Sequence, residues 1–306
     1  MKDQIYDVAI VGGGPGGIAA AIWCKRVALQ CVIVEKAAIL GGQLSMIHTP
    51  IPDFPGLICA SGAELRMHLE DHLNQLKIPY VLNVGVEKIE QSQEGFVITS
   101  VQEKILARSI IIATGVARRR FSLADSFVGT GVSYTASGAI DMFQGRACAI
   151  LGGGDGALEN AVRLSKMCPV VHVIARGTTL RAREHFIEEV QAKSNIIVHY
   201  QTVVEELLGT DALESIVVRK NGESFILNVE AFLVKIGFAP VAHVGGLALG
   251  CTNGGHIETS ATQKTNISGV WAIGDVCEEL DPSLSVAMGQ ACVAARDIAR
   301  YFRGEA

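Results

Sequence analysis

One pattern occurs twice in this chain. The segment YDVAIVGGGPGGIAAAIWCKR occupies residues 6–26, and ACAILGGGDGALENAVRLSK occupies residues 147–166. Each reads as a short apolar strand, a glycine turn and an alanine-rich helix. A strand–turn–helix unit of this kind belongs in an α/β fold with parallel strands, and its turn is open to a phosphate. Two copies predict two Rossmann-like nucleotide-binding domains. In the first copy Gly12, Gly14 and Gly17 form G-x-G-x-x-G, with Pro15 inside the motif. Gly12 permits the tight turn, Gly14 lets a pyrophosphate approach the backbone, and Gly17 lets the helix close on the strand. The helix N-terminus then offers free N–H groups to the phosphates. The next strand, CVIVEK, ends in Glu35 and Lys36, and Glu35 lies 23 residues beyond Gly12. An acid at that distance can bond both hydroxyls of an adenosine ribose.

In the second copy Gly152, Gly154 and Ala157 take the same places, with Asp155 between them. The strand that follows, VVHVIAR, has Ala175 and Arg176 where the first copy has its acid, with Arg181 and Arg183 close behind. An arginine attracts the 2′-phosphate that an acid would repel, so this site is expected to favour NADPH over NADH. Three further apolar strands are predicted. IIIATGVARRR (110–120) carries Ala113, Thr114 and Gly115, AFLVKIGFAPV (231–241) is its counterpart, and VWAIGDV (270–276) ends in Gly274 and Asp275. SVAMGQACVAARDIARYF (285–302) reads as a helix whose small residues face a close neighbour.

Composition narrows the class. The net charge is −5 and no basic stripe runs along the chain, which argues against a nucleic-acid partner. The longest apolar runs are strand-sized, so no membrane span is expected, and the chain starts without a signal-peptide pattern. A cytoplasmic protein is the expectation. Eight cysteines are scattered with no C-x-x-C among them. They read as small buried hydrophobes rather than a metal cluster or a redox pair.

GGGPGG (12–17), GGQL (41–44), DFPG (53–56), ATG (113–115), GGGDGA (152–157) and WAIGDV (271–276) together resemble the low-molecular-weight thioredoxin reductase family, in family order and spacing across nearly the whole chain. The resemblance implies an FAD-binding domain in two pieces, 1–116 and 243–306. A second nucleotide domain, 117–242, is inserted between them, and two chains form a homodimer. Carried over by position, FAD contacts fall on Gly12, Gly14, Gly17, Glu35, Gly42, Gln43, Leu44, Asp53 and Asp275. Asp53 stands where many members have Asn. Ser283 and Leu284 precede the last helix, where the family has Gln and Ala, and a backbone N–H of Leu284 with a hydroxyl of Ser283 can reach the flavin.

The departures matter as much. Where family members carry C-x-x-C followed by an acid, this chain reads GVSYTASGAID (131–141), with Thr135 and Gly138 in the cysteine places and Ala139 in the acid's. Disulfide exchange requires a thiolate, so reduction of thioredoxin by that route is excluded. Two dithiol-free relatives are also similar: the ferredoxin/flavodoxin–NADP reductases of this fold, and the diflavin-linked oxidoreductases, in which a second FAD occupies the inserted domain. The expected function is FAD-dependent electron transfer between NAD(P)H and a protein carrier or small molecule. A ferredoxin-linked or diflavin enzyme without NADPH, and a non-catalytic flavin-binding sensor, are the alternatives. Arg118, Arg119 and Arg120 offer a docking point for an acidic carrier such as ferredoxin or flavodoxin. His48, between GGQL and DFPG, is the candidate proton donor. Tyr134, beside the vacated cysteine place, is a candidate to stack on the flavin. His68 and His72 lie four apart on a helix without an apparent third metal ligand.

Overall fold

The computed structural model describes residues 4–305 and divides into two compact units, residues 1–117 with 239–306, and residues 118–238. The second is inserted into the first, and the chain passes between them twice.

The first unit opens with β1 (Ile5–Val11), α1 (Pro15–Arg26) and β2 (Cys31–Val34). It continues through α2 (Gly62–Gln75), β3 (Tyr80–Val81), β4 (Lys88–Ser92), β5 (Gly95–Thr99), β6 (Lys104–Ile112) and β7 (Val116–Arg118). Strands β3, β2, β1 and β6 lie side by side in parallel, and β5 and β4 extend the sheet antiparallel. β1 and β2 are apolar on both faces because both faces are covered. One face packs beneath α1 and the last helix, where Ala19, Ala20 and Ala21 meet Ala291, Ala294 and Ala295. The small side chains let these helices approach closely. The other face is closed by Val84, Ile89, Phe96 and Ile98 with Val244 and Ile257 from the far end of the chain. The result is three layers.

The second unit carries β8 (Val132–Ser133), α3 (Ile140–Phe143), β9 (Cys148–Leu151), α4 (Asp155–Leu164), β10 (Val171–Ile174), α5 (Glu184–Gln191) and β11 (Ile196–His199). An antiparallel meander follows, β12 (Thr202–Leu208), β13 (Ser215–Lys220) and β14 (Glu223–Leu227), before β15 (Ala231–Val234) returns to the main sheet. That sheet has the order β11-β10-β9-β15-β8, with every pairing parallel. Strand order therefore reverses between β9 and β15, which opens a crevice at their carboxyl ends. The chain leaves through β16 (Phe238–Pro240), which pairs with β7, and ends in β17 (Val270–Ala272), beside β6, and α6 (Leu284–Phe302). Both α/β units seen in the repeat are present, and among the described residues no helix is long and apolar enough to cross a membrane.

Candidate functional site

The first glycine turn has three glycines with three different surroundings. A β-carbon on Gly12, where φ is +113°, would sit 2.3 Å from the carbonyl oxygen of Ala113, and one on Gly17 would sit 2.0 Å from the carbonyl oxygen of Gly12. Both glycines are demanded by the protein's own backbone. Gly14 differs: a β-carbon there meets nothing within 4 Å. Gly14 is also the N-cap of α1 and supplies no side-chain cap. The first-turn amides thus face open space, as a pyrophosphate cradle requires.

Glu35 is buried at the end of β2, and its carboxylate accepts hydrogen bonds from the amides of Gly13 (2.6 Å) and Ala37 (2.7 Å). It braces the turn, and a carboxylate has further lone pairs for a diol. Lys36 beside it is exposed. The GGQL segment packs directly on the turn: the amide of Gly41 donates to the carbonyl of Gly13 at 2.7 Å, and a β-carbon on Gly42 would lie 3.3 Å from the Cα of Gly14. Gln43, next along, donates through Nε2 to Asp275 Oδ2 at 3.1 Å, joining residues 232 positions apart. Burial raises the pKa of Asp275, and the bond from Gln43 opposes that rise. Leu44 points the other way, into a small core with Ile51, Cys59 and Leu65.

The start of α6 adjoins the same place, since Ala287 lies against both Gly16 and Gly274. Ser283 caps this helix, its hydroxyl oxygen accepting from Val286 N at 3.2 Å. That occupies the oxygen, while the amide of Leu284, first in the helix, has no intrahelical acceptor. Gln290, which sequence reasoning missed, holds the Gly274 amide through Oε1 at 2.6 Å and donates to Glu278. Its only sequence signal is an amide side chain among small and apolar residues. Ala113 supports Gly12, and the Thr114 hydroxyl donates to the Val241 carbonyl at 2.7 Å, so this threonine also has a structural task. Asp53 lies on an exposed loop closed by the Ile51–Cys59 bridge, and His48 is exposed just before that loop. Gly12–Gly17, Glu35, Gly42, Gln43, Gly274, Asp275 and the start of α6 therefore form one cluster, and its open cradle fits a dinucleotide of the FAD kind.

The second turn repeats the design. A β-carbon on Gly152, φ +143°, would meet the Lys235 carbonyl oxygen at 2.1 Å, and Gly154 is an N-cap without a side-chain cap. Arg181 pairs by backbone with this turn, its amide donating to Gly153 O at 2.7 Å. Arg183 is held by Asp155, which accepts from its amide and from its Nε, both at 2.7 Å, and its guanidinium also lies over Phe186. The bond from the Arg183 backbone, with that from its side chain, holds the Asp155 carboxyl below the usual range. Arg183 is thus committed within the protein, while Arg176 and Arg181 stay exposed beside the turn.

Thr135 and Gly138 come together between β8 and α3: a β-carbon on Gly138 would lie 3.3 Å from Thr135 Cγ2. Gly138 has no left-handed backbone to resist a side chain. The geometry of a vicinal pair survives there without its sulfur. The double substitution Thr135→Cys with Gly138→Cys is accordingly expected to form an intrachain disulfide on mild oxidation. Thiol titration before and after oxidation reads it, and an unchanged count would mean that the backbone holds the pair apart.

Cys277 and Cys148 lie outside this segment. Burial, with Glu278 nearby, pushes the Cys277 thiol up to about 12, and its Sγ donates to the Gly274 carbonyl. Cys148 does have a neighbour that its sequence position hid, Cys168. A hydrogen bond between them, with burial, raises the Cys148 thiol, and both are buried. Tyr134 is half-buried and packs against the core of the second unit, its hydroxyl accepting from Phe121 N at 3.0 Å, which gives it a packing role. Of the arginine run, Arg118 is half-buried and donates to the Tyr134 carbonyl, Arg119 donates to the Phe238 carbonyl, and Arg120 pairs with Asp125 at 3.0 Å. His68 and His72 are exposed on α2, and no cluster of metal ligands occurs among the described residues.

Residues 6–296 match the family model for pyridine nucleotide-disulphide oxidoreductases. The chain belongs to this family of flavoprotein oxidoreductases, and it has the thioredoxin-reductase fold. It is 33% identical over 280 residues to a thioredoxin reductase of Mycoplasmopsis pulmonis, covering 90% of each chain. It is 31% identical over 290 residues to ferredoxin–NADP reductase 2 of Bacillus pumilus, covering 90% of this chain and 85% of that one. The crystal structure of Lactococcus lactis thioredoxin reductase superposes with a TM-score of 0.87 at 28% identity, over 98% of this chain and 99% of that one.

Proposed function

We propose that this chain is an FAD-dependent NAD(P)H oxidoreductase that delivers electrons through the flavin to a protein carrier or a small molecule, without a redox dithiol. In this proposal residues 1–116 and 243–306 hold FAD, residues 117–242 hold NAD(P)H, and two chains form a dimer. The observation that carries it is the pairing of an open, acid-braced first turn with a cysteine-free 135–138 segment. FAD, when bound, supplies hydride acceptance and onward electron release, so no protein nucleophile is needed.

The residues do the rest. Gly14 and the α1 amides would bind the pyrophosphate, Glu35 the ribose, and the Gln43–Asp275 pair the polyol between ribose and ring. The amide of Leu284, at the positive end of α6, would orient the ring edge and favour negative charge there. Arg176 and Arg181 would hold the 2′-phosphate of NADPH. His48, exposed beyond Gln43, is the side chain we assign to proton exchange with solvent. A protein acceptor would be acidic, since Arg119 and Arg120 lie on the surface.

The test is an anaerobic spectrum of the purified protein with a flavin count per chain, before and after NADPH or NADH. The expected result is one FAD per chain and rapid bleaching. Persistent colour with both nucleotides would overturn the donor assignment and direct attention to reduced ferredoxin. A count of two flavins would put FAD in the inserted domain.

A further inference from the structure

Two of the assigned flavin contacts, Asp275 and the Leu284 amide, are joined by a short loop. Residues 279–283 of that loop are exposed, and none of them belongs to the buried core. Apolar packing therefore does not fix its path, and hydrogen bonds must. Gln290 reaches back from α6 to supply them. Its Oε1 accepts from the buried Gly274 amide at 2.6 Å, and its Nε2 donates to Glu278 Oε2 at 3.2 Å. Glu278 Oε1 in turn accepts from the amides of Leu280 (3.1 Å) and Asp281 (3.3 Å). The carbonyl of the same Gly274, whose φ is +74°, accepts from the amides of Cys277 (2.9 Å) and Glu278 (3.1 Å). A relay thus runs from α6 to the turn before Asp275 and on into the loop that returns to Leu284. Thr252 Oγ1, donating to Glu279 Oε2 at 3.3 Å, adds a tie at the surface.

The relay has a fixed polarity. A glutamine offers one accepting and one donating group, whereas a carboxylate only accepts. With Gln290 placed this way, every N–H in the relay meets an oxygen. Turned over, its Nε2 would face the Gly274 N–H, donor against donor.

We propose that Gln290 is a positioning residue for the flavin: through Gly274 and Glu278 it holds Asp275 and the Leu284 amide at the separation that grips the polyol and the ring edge together. The proposal rests on reading this unit as the FAD site. The Leu284 amide, at the positive end of α6, favours negative charge on the ring, so a slack loop weakens the reduced form more than the oxidised one.

Five holoproteins test it: wild type, Gln290→Met, Gln290→Glu, Glu278→Gln and the double variant Gln290→Glu with Glu278→Gln. Flavin release on dilution gives affinity, and photoreduction against a reference dye gives the midpoint potential with no nicotinamide present. Gln290→Glu sets two carboxylates against each other, and Glu278→Gln sets N–H against N–H whichever way its amide turns. The double variant restores donor to acceptor along the relay at unchanged net charge. Each single variant should bind FAD about tenfold more weakly, the cost of one mismatched hydrogen bond, and the double variant should recover to within about twofold of wild type. Gln290→Met removes both bonds without changing charge, and its potential should fall below that of wild type. Wild-type affinity and potential in Gln290→Met, with only a lower melting temperature, would reduce Gln290 to a brace for the fold. A double variant no tighter than Gln290→Glu would also overturn the relay. If wild-type FAD ignores NADPH and NADH while the variants behave as expected, the donor assignment falls and the relay stands. A wild type that takes up no FAD would remove both.

Discussion

Gly14→Val is expected to give a folded, soluble protein that has lost its flavin. The argument turns on what surrounds each glycine of the first turn. A β-carbon at position 14 meets no protein atom within 4 Å, and the backbone there is extended, with φ −71° and ψ 179°, which valine adopts readily. The fold therefore has no reason to reject the side chain. The ligand does, because the added methyls would occupy the space in which a pyrophosphate approaches the α1 amides. Gly12→Ala is the contrast. Its methyl would meet the Ala113 carbonyl oxygen at 2.3 Å from a backbone with φ +113°, so β1 or β6 must shift. The cost should be about 3 kcal/mol or more, the range of overpacking and strained backbone together. Thermal unfolding of the two apoproteins separates the cases. Gly14→Val should melt with wild-type apoprotein and fail to retain FAD, whereas Gly12→Ala should melt well below it. If Gly14→Val retains one FAD per chain, the cradle assignment is wrong.

The same contrast explains what the sequence revealed and what it concealed. The places of Gly12 and Gly17 followed from spacing alone, because a tight turn and close helix packing each demand a missing side chain, and the same spacing marked Gly14 as the glycine whose missing side chain no protein atom requires. Glu35 was readable from its distance to Gly12 and its place at the end of an apolar strand. The partners that complete the cluster were not. Gln43 and Asp275 meet across 232 residues, and Gln290 reaches the Gly274 amide from inside α6. No local pattern encodes such a bond, since it depends on how GGQL folds back on the turn and how α6 lies on α1. The Cys148–Cys168 contact was hidden for the same reason: strand β9 and the turn after α4 become neighbours only when the unit is wound. Side-chain commitments were also illegible. Arg183 looked available for a phosphate, yet Asp155 and Phe186 hold it. Tyr134 stood beside the vacated cysteine place in the sequence, while its half-buried ring packs against the core of the second unit.

The inserted unit is expected to lose stability as pH falls from about 6.5 toward about 4, through one histidine pair. His172 on β10 and His199 at the end of β11 place Nδ1 and Nε2 2.9 Å apart, with ring centroids at 5.1 Å. One of those nitrogens donates and the other accepts, so the pair holds one shared proton between them and rejects a second. Burial, then the charge that His199 would carry, depresses His172 to about 4. Burial, then Lys220, depresses His199. Phe225 lies against His199, with ring centroids 6.1 Å apart. Both rings are therefore neutral in the folded protein at pH values where the unfolded chain already takes up protons. The unfolded state binds more protons below its own pKa, so stability is full above that value and falls with pH until the folded groups titrate as well. For His172 the loss at pH about 5 is about 1 kcal/mol, the difference between the two pKa values discounted for solvent screening of a half-buried ring. His172→Val should remove most of this slope, because valine suits a strand flanked by Val171 and Val173. Thermal unfolding of both proteins between pH about 7.5 and about 5, with an NMR titration of the imidazole protons, measures it. Should the imidazole of His172 titrate near 6.5, the pair is solvated and no acid sensitivity will come from it.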